Sequence, residues 1–508
     1  MRLLIALALA LPSLSLLHAA PVEGAGTPEA LIQEINDLLE EAAFSGGVSI
    51  LIEQREPARA LFERQADQLV IPASNNKLHT TAAALHFLGP DLTLTTRVVT
   101  NGTVNEAGVL EGDLIVIGSG DPTISGRFNG GNILGTFEQW ATELQARGIR
   151  AIAGRIIGDD DLFDDELIEE TWSPRELGEW YSAESSALSL NDNCVDLVWT
   201  AGPTVGSPAS WTADPATPYL TIRSEVRTVA EGTETDRYYR RAADSNSVRV
   251  TGGIPLGQTN TDYAAVHNPT LFAVTVLRDV LQRQGIQVSG EAVDIDDLDK
   301  SAVRQSLTEL TSFTSPPLST IVDIVNQHSQ NFYADMVLKL IGREVEGEGS
   351  FDAGVRAVRR HLDEIGALPP GWQMLDGSGL SGQNRTTPRC LVTLIRAMMS
   401  SPHSETFLAS LPRGRAERGS LRRRFGQTAR SRAVAGQIQG KTGYIGGVYA
   451  LSGTLTNQAG VEMIYSLVLN RYESESTPPL QLLDAIAVAA AASTFEADAP
   501  LRPEMAAQ

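Results

Sequence analysis

The chain has 508 residues, of which 42% are hydrophobic and 20% charged, enough apolar material for the cores of two or three domains. A formal net charge of −22 argues against nucleic acid and against an anionic membrane surface as main partners. The two cysteines, Cys194 and Cys390, cannot build a disulfide framework. They read as buried small apolar side chains, with one long-range disulfide as the alternative, and no set of residues has metal-ligand spacing, so neither metal nor cofactor is expected.

From the N-terminus, Met1 to about Ala19 has the order of a secretory signal: Arg2, an apolar run from Leu3 to Leu17, then small residues before Ala20 and Pro21. That run is too short to span a bilayer, so no transmembrane anchor is expected once it is removed. Gly47 to Glu53 and Ala60 to Glu63 read as a pair of strands, followed by Pro72-Ala73-Ser74 and an alanine-rich helix to about Leu88. From about Arg97 to Asp299 the chain is rich in Gly, Asp and Thr turns around strand-like pieces: Asp113 to Ile117, Arg155 to Ile157 and Ser247 to Thr251. It reads as one or two mainly β subdomains. Within it, Gly118-Ser119-Gly120 is a plain turn, since a G-x-G outside a βαβ unit is weak evidence for a nucleotide. The patch Asp159, Asp160, Asp161, Asp164, Asp165 and Glu166 lacks calcium-loop spacing and reads as a solvated turn. The arginines at 413, 415, 418 and 422 to 424 read as a solvated face, with a dock for an anionic polymer as the alternative. Toward the C-terminus, Ala433 to Gln439, Val448 to Leu455 and Glu462 to Asn470 read as an antiparallel meander, with Lys441 leaving the first strand, and Leu482 to Ala492 as a core-packing helix.

Only four lysines stand against 36 arginines. Two of them sit in Ser74-Asn75-Asn76-Lys77 and Lys441-Thr442-Gly443. An amine can lose its proton near neutral pH when desolvated, whereas a guanidinium cannot, so a site that needs a base has a reason to keep lysine. Ser74 and Lys77 are spaced i, i+3, which puts them on one face of a helix with Cβ atoms about 5–6 Å apart. Between these motifs lies Ser329-Gln330-Asn331. Singly, each motif is weak evidence; their order is what carries weight.

S-x-x-K, S-x-N and K-T-G in that order form the signature of serine β-lactamases and penicillin-binding proteins. The flanking segments IPASNNKLHTTAAALHFLG, NQHSQNFYADMVLKLIG and GKTGYIGGVYALSGTL, with GDLIVIGSGDPTIS and SALSLNDN, resemble the D-alanyl-D-alanine carboxypeptidase/endopeptidase family of the penicillin-binding protein 4 type. The resemblance covers nearly the whole chain after the signal. It implies an α/β (α+β) multidomain fold: a discontinuous transpeptidase-like domain, 20–96 and 300–495, an antiparallel sheet with flanking helices, interrupted by an insertion at 97–299 and followed by a tail at 496–508. The 255 positions from Ser74 to Ser329 (74 to 329) demand such an insertion.

By the same resemblance Ser74 is the acylated nucleophile, Lys77 its base, Ser329 a proton relay bridging Lys77 and Lys441, and Asn331 the support of Lys77 and the substrate amide. Lys441 and Thr442 bind the substrate's terminal carboxylate, and the charge of Lys441 helps to depress Lys77. Gly443 admits the substrate backbone, and the amides of Ser74 and Tyr444 form the oxyanion hole. Implied partners are peptidoglycan stem peptides and, as covalent inhibitors, β-lactam antibiotics, in the periplasm. Gln330 departs from the aspartate common in the wider superfamily, which puts local hydrogen bonding at the cleft rim in question. His79 lies about 140° around the helix from Ser74, His328 reads as a rim or structural residue, and Ser378 in DGSGLS belongs to a bordering loop. Two other readings keep the residues: a fast-deacylating β-lactamase or esterase, against which the large insertion argues, and a non-catalytic wall-binding protein.

Overall fold

The computed structural model describes residues 24–501; the signal-like segment up to about Ala19 lies outside them. Helix α1 (Pro28–Glu41) begins where Thr27 accepts a hydrogen bond from the Ala30 amide at 3.2 Å, with proline in the first turn. Its apolar residues Leu31, Ile35 and Leu39 recur at helical spacing and are buried. Strands β1 (Ser45–Gln54) and β2 (Arg59–Arg64) follow, then a 3₁₀ turn, Ala73–Asn76, that runs into helix α2 (Lys77–Leu88).

The C-terminal part supplies helices α3 (Leu318–Gln327), α4 (Asn331–Glu346), α5 (Phe351–Glu364) and α6 (Pro388–Met399), strands β3 (Ile438–Ile445), β4 (Val448–Thr456) and β5 (Glu462–Glu473), and helix α7 (Pro479–Ala492). The five strands make one antiparallel sheet in the order β3, β4, β5, β1, β2. Ile50 and Ile52 of β1 pack with α1 and α7, whereas Leu51 between them joins the core of α2 to α6. Both faces are covered, so β1 reads as an apolar run rather than an alternation.

Residues 95–314 form a second body of sheets. One has the order 292–294, 156–159, 114–117, 95–100, 308–314; beside it lie a small four-stranded sheet and two more built around 194–200 and 247–255. The helices Gly135–Ala146 and Pro269–Arg283 pack against them, with Trp140, Phe272 and Val116 in a shared core. The two connecting segments run side by side where the Ser315 amide donates to the Leu94 carbonyl at 2.8 Å.

Two expectations change. Residues 433–439 are not a strand: Ala429–Val434 is helical and β3 starts at Ile438, which places Lys441 inside the strand. Thr428 and Ser431 form a capping box there, and this local signal overrides the apolar run. The acidic patch is a solvated turn only in part: Asp164, Asp165 and Glu166 are exposed, but several of its carboxylates are paired. Asp159 is buried against Arg304 at 2.6 Å, Asp161 takes Lys300 at 2.6 Å, and Asp164 takes Lys339 at 2.6 Å. Cys194 and Cys390 are both free and buried. Among the described residues no helix is long and apolar enough to cross a membrane.

Candidate active site

The 3₁₀ turn that carries Ser74 leans on β3 and on the loop at 376–384. Ala73, just before the serine, has a positive φ of 47°, a strained conformation of the kind that persists where surrounding structure holds it. Gly379, at φ +85°, touches it so closely that a Cβ would lie 2.0 Å from the Ala73 carbonyl oxygen. Gly443 plays a matching part from the strand: a Cβ there would meet the Pro72 carbonyl oxygen at 2.9 Å and Asn75 Nδ2 at 3.0 Å. What this glycine visibly admits is the turn of the serine. Asn75 Nδ2 donates to the Lys441 carbonyl at 3.1 Å, tying first motif to third.

Lys77 Nζ is fully buried and has three neighbours: Ser74 Oγ at 3.0 Å, Asn331 Oδ1 at 2.6 Å and the Ser378 carbonyl at 2.6 Å. Asn331 Nδ2 donates to the Tyr181 carbonyl at 2.9 Å, which fixes the amide so that its oxygen faces the lysine. Two neighbours are therefore pure acceptors, and the third is a hydroxyl that can donate. The charged amine can donate to all three oxygens; once its proton is lost, two N–H groups can stay on the carbonyl oxygens and the lone pair turns to the Ser74 hydroxyl. Burial lowers the Lys77 pKa to about 8, opposed by the carboxylates of Asp335 and Asp376.

Lys441 Nζ donates to Ser329 Oγ and to the Thr442 carbonyl, both at 2.8 Å. Burial first, and then the Lys77 charge, push this amine well below the usual lysine range. Burial lowers Lys77 as expected, whereas the other charges that act on it are the carboxylates of Asp335 and Asp376 rather than Lys441. Nor does a hydrogen bond join Ser329 to Lys77 among the described residues; Ser329 reaches only the Lys441 side of the site. Ser329 itself holds φ +57°, a left-handed conformation costing about 1–2 kcal/mol for a residue with a Cβ. Ser74, Ser329 and Thr442 are partly exposed and Tyr444 is exposed, its ring 5.0 Å from that of Tyr449. Thr442 Oγ1 donates to Ser420 Oγ at 2.8 Å, so the arginine-rich loop brings a hydroxyl to the third motif. Its charges are spent partly on bracing that loop: Arg418 pairs with Asp323, and Arg424 with Asp484.

The insertion reaches the second motif through Asp192, which lies in SALSLNDN. Its carboxylate takes Gln330 Nε2 at 3.1 Å, the Tyr333 hydroxyl at 3.1 Å and Arg127 Nη2 at 3.0 Å. Asn191, Asp192 and Asn193 all have positive φ, 51° to 54°, which Asn and Asp tolerate best after glycine. A glutamine at 330 is explained here: it donates to Asp192, whereas an aspartate would oppose it. A cavity of about 260 Å³ lies beside this brace, lined by Arg127, Trp180, Asp192, Asp196, Tyr263 and His328. His79 is buried away from Ser74, its Nε2 3.3 Å from Thr386 Oγ1.

Sequence reasoning missed the group beneath the lysine. Asp335 Oδ1 accepts from the amides of Gly377 and Ser378 at 2.8 and 3.0 Å, aiming the Ser378 carbonyl at Lys77. Asp376 accepts from the amides of Gly379 and Ser381, from Asn384 and from Trp172 Nε1, all within 2.9 Å. The available signal was spacing: Asn331, Asp335 and Lys339 recur every four residues, which puts three polar side chains on one buried face of α4.

A buried lysine facing a serine at the start of a helix, beside a K-T-G strand and an S-x-N turn, defines a penicillin-binding type of serine hydrolase. A family profile described as D-Ala-D-Ala carboxypeptidase 3 (S13) matches residues 31–492. The chain belongs to this family of serine D-Ala-D-Ala carboxypeptidases. It is 32% identical over 486 residues, 94% of this chain and 87% of the relative, to a D-alanyl-D-alanine carboxypeptidase of Actinomadura sp. (strain R39). It is 22% identical over 448 residues, covering 87% and 88%, to the D-alanyl-D-alanine carboxypeptidase DacB of Haemophilus influenzae. The fold matches the crystal structure of penicillin binding protein 4 from Haemophilus influenzae with a TM-score of 0.76 and 21% identity, over 89% of this chain and 97% of that one. The same protein complexed with a β-lactam matches with a TM-score of 0.71 at 21% identity, with the same coverage of both chains.

Proposed function

We propose that the protein removes the terminal D-alanine from peptidoglycan stem peptides in the periplasm, opens D,D-crosslinks by the same chemistry, and is inhibited by β-lactams that acylate Ser74. The observation that carries this reading is the contact of Lys77 with Ser74 Oγ: two carbonyl acceptors hold the amine, so that once deprotonated it turns its lone pair to that hydroxyl.

In the first half-reaction Ser74 Oγ attacks the carbonyl between the two D-alanines while its proton passes to Lys77. The amides of Ser74 and Tyr444 hold the developing oxyanion. Collapse breaks the C–N bond, and the departing amine takes a proton from the Ser329 hydroxyl, which Lys441 replenishes. Lys77 then gives up to solvent the proton it took and Lys441 regains one, so that both amines return to their starting states. Water attacks the acyl carbon, giving a proton to Lys77, which passes it to Ser74 Oγ as the acyl C–O bond breaks and the shortened peptide leaves. The carboxylate of the substrate sits against Lys441 and Thr442. Its negative charge favours the charged form of Lys441, and a charged Lys441 in turn disfavours a proton on Lys77. Arrival of the right substrate would thus help to prepare the base.

Periplasmic location is supported by the signal-like order of Met1 to Ala19. The division into a discontinuous catalytic domain and an insertion belongs to the same reading, and the pairing of 308–314 with 95–100 favours boundaries near Leu94 and Ser315. The test is acylation by labelled penicillin followed by peptide mass mapping, with D-alanine release from a stem pentapeptide and cleavage of a crosslinked muropeptide measured in parallel. Label on Ser74 and loss of all three activities in Ser74→Ala are expected. Label that persists in Ser74→Ala would refute the reading, and rapid cephalosporin turnover without action on the peptides would make the protein a β-lactamase.

A further inference from the structure

Helix α5 packs along α2, and where their ends meet two histidines and a glutamate converge. His361 is only 3% exposed, yet neither of its ring nitrogens has a hydrogen-bond partner among the described residues. A buried donor or acceptor left unpaired costs about 1–3 kcal/mol, so an orphaned imidazole asks for a partner outside the chain. His86, in the last turn of α2, stacks on it with ring centroids 4.3 Å apart and an interplanar angle of 29°. His86 Nε2 lies 3.3 Å from Glu364 Oε2. One donor atom from each of the three residues falls within 4.8 Å of the others. His361 and Glu364 are spaced i, i+3 on one face of α5.

We propose that His86, His361 and Glu364 form a binding site for a divalent transition metal of the zinc type. Two neutral imidazoles and one carboxylate are a donor set that zinc takes in tetrahedral sites with a water as fourth ligand. Ligand bonds of about 2.0–2.2 Å place donors on one ion about 3.3 Å apart. His86 Nε2 and Glu364 Oε2 already stand 3.3 Å apart, all three donors lie within 4.8 Å, and the two exposed residues, His86 and Glu364, have the freedom to close around the buried His361. Arg360, next to His361 in the chain, is engaged elsewhere, its guanidinium 2.9 Å from Glu346 and 5.3 Å from the centre of the Phe87 ring. An ion bound here ties the far end of the nucleophile's helix to α5. Nothing in the family's acyl chemistry calls for it, so the site is a structural addition.

The experiment uses the mature chain without a histidine tag, stripped with a chelator and titrated with zinc chloride by calorimetry, with thermal denaturation in parallel. About one zinc per chain is expected, with a raised melting temperature and no response to magnesium. Glu364→Gln and His86→Ala, both on the surface, should each weaken zinc binding by about tenfold or more. His361→Ala should abolish it, and His403→Ala should leave it unchanged. The absence of saturable zinc uptake by the parent chain overturns the proposal. So does uptake that survives both Glu364→Gln and His86→Ala, or that is lost equally in His403→Ala.

Discussion

Asp335 controls Lys77 without a hydrogen bond to it. Its Oδ1 accepts the amides of Gly377 and Ser378, and the carbonyl of Ser378 in turn accepts from the lysine at 2.6 Å. Burial raises the Asp335 carboxyl well above its usual range, and its charge, when present, works against a neutral lysine. Position and charge are therefore separable. Asp335→Asn keeps an acceptor for both amides, so it should fold nearly as well and move the acid limb of penicillin acylation to lower pH. Asp335→Ala orphans two buried amides, which should cost about 2–4 kcal/mol in denaturant melts and slow acylation as well.

Acylation should rise with pH through an apparent pKa near 8, because the proton must leave Lys77 before it can serve as base. The same depression bears on folding. Between about 8 and the ordinary value of 10.5 the unfolded chain binds the proton that the folded chain has lost, so stability rises with pH across that window. Lys441 contributes in the same direction. Urea melts from pH 7.5 to 10 should show this slope, and Lys77→Met should flatten it.

The two motif lysines should respond differently to arginine. Lys77→Arg, which cannot deprotonate, should lose about 10²–10⁴-fold in acylation rate, matching the loss of a general base and no better than Lys77→Ala. Lys441→Arg keeps the charge that meets the substrate carboxylate and should retain more activity, although its site is fully buried and the larger head must displace neighbours. Stopped-flow penicillin acylation of the three variants decides this; equal losses in the two arginine variants would refute the division of labour.

Gln330→Asp should set two carboxylates against each other at Asp192, removing a hydrogen bond and destabilising the second motif by about 1–2 kcal/mol. Adding Asp192→Asn should recover part of that loss. The coupling is read from a double-mutant cycle of melting free energies.

Much of the site was legible because its chemistry needs particular side chains in a fixed order. Ser74, Lys77, Ser329, Asn331 and Lys441 do come together, and the strands at 113–117, 155–157 and 247–251 appear within a residue or a few of where alternation places them. What stayed hidden was set by contacts distant in sequence. Asp192 meets Gln330 across 138 positions, and the acidic stretch at 159–166 looks solvated until Arg304, Lys300 and Lys339 arrive to pair with it. The start of β3 was misplaced because Ala433 and Val434 are as apolar in a capped helix as in a strand. The role of Asp335 is not legible, since the amides it receives come from a loop 42 positions away.

Strand β1 pairs with β5, joining Val48 to Leu469 and Ile52 to Tyr465. A sheet closed between segments some 400 residues apart carries a large loop-closure cost and forms late. The serine is thus synthesised early, but the wall it leans on arrives with the last seventy or so residues. A nascent or truncated chain ending before Ile438 would hold Ser74 and Lys77 without β3. Reactivity toward an acylating drug therefore reports completion of the whole chain, and a prematurely terminated product should remain chemically silent.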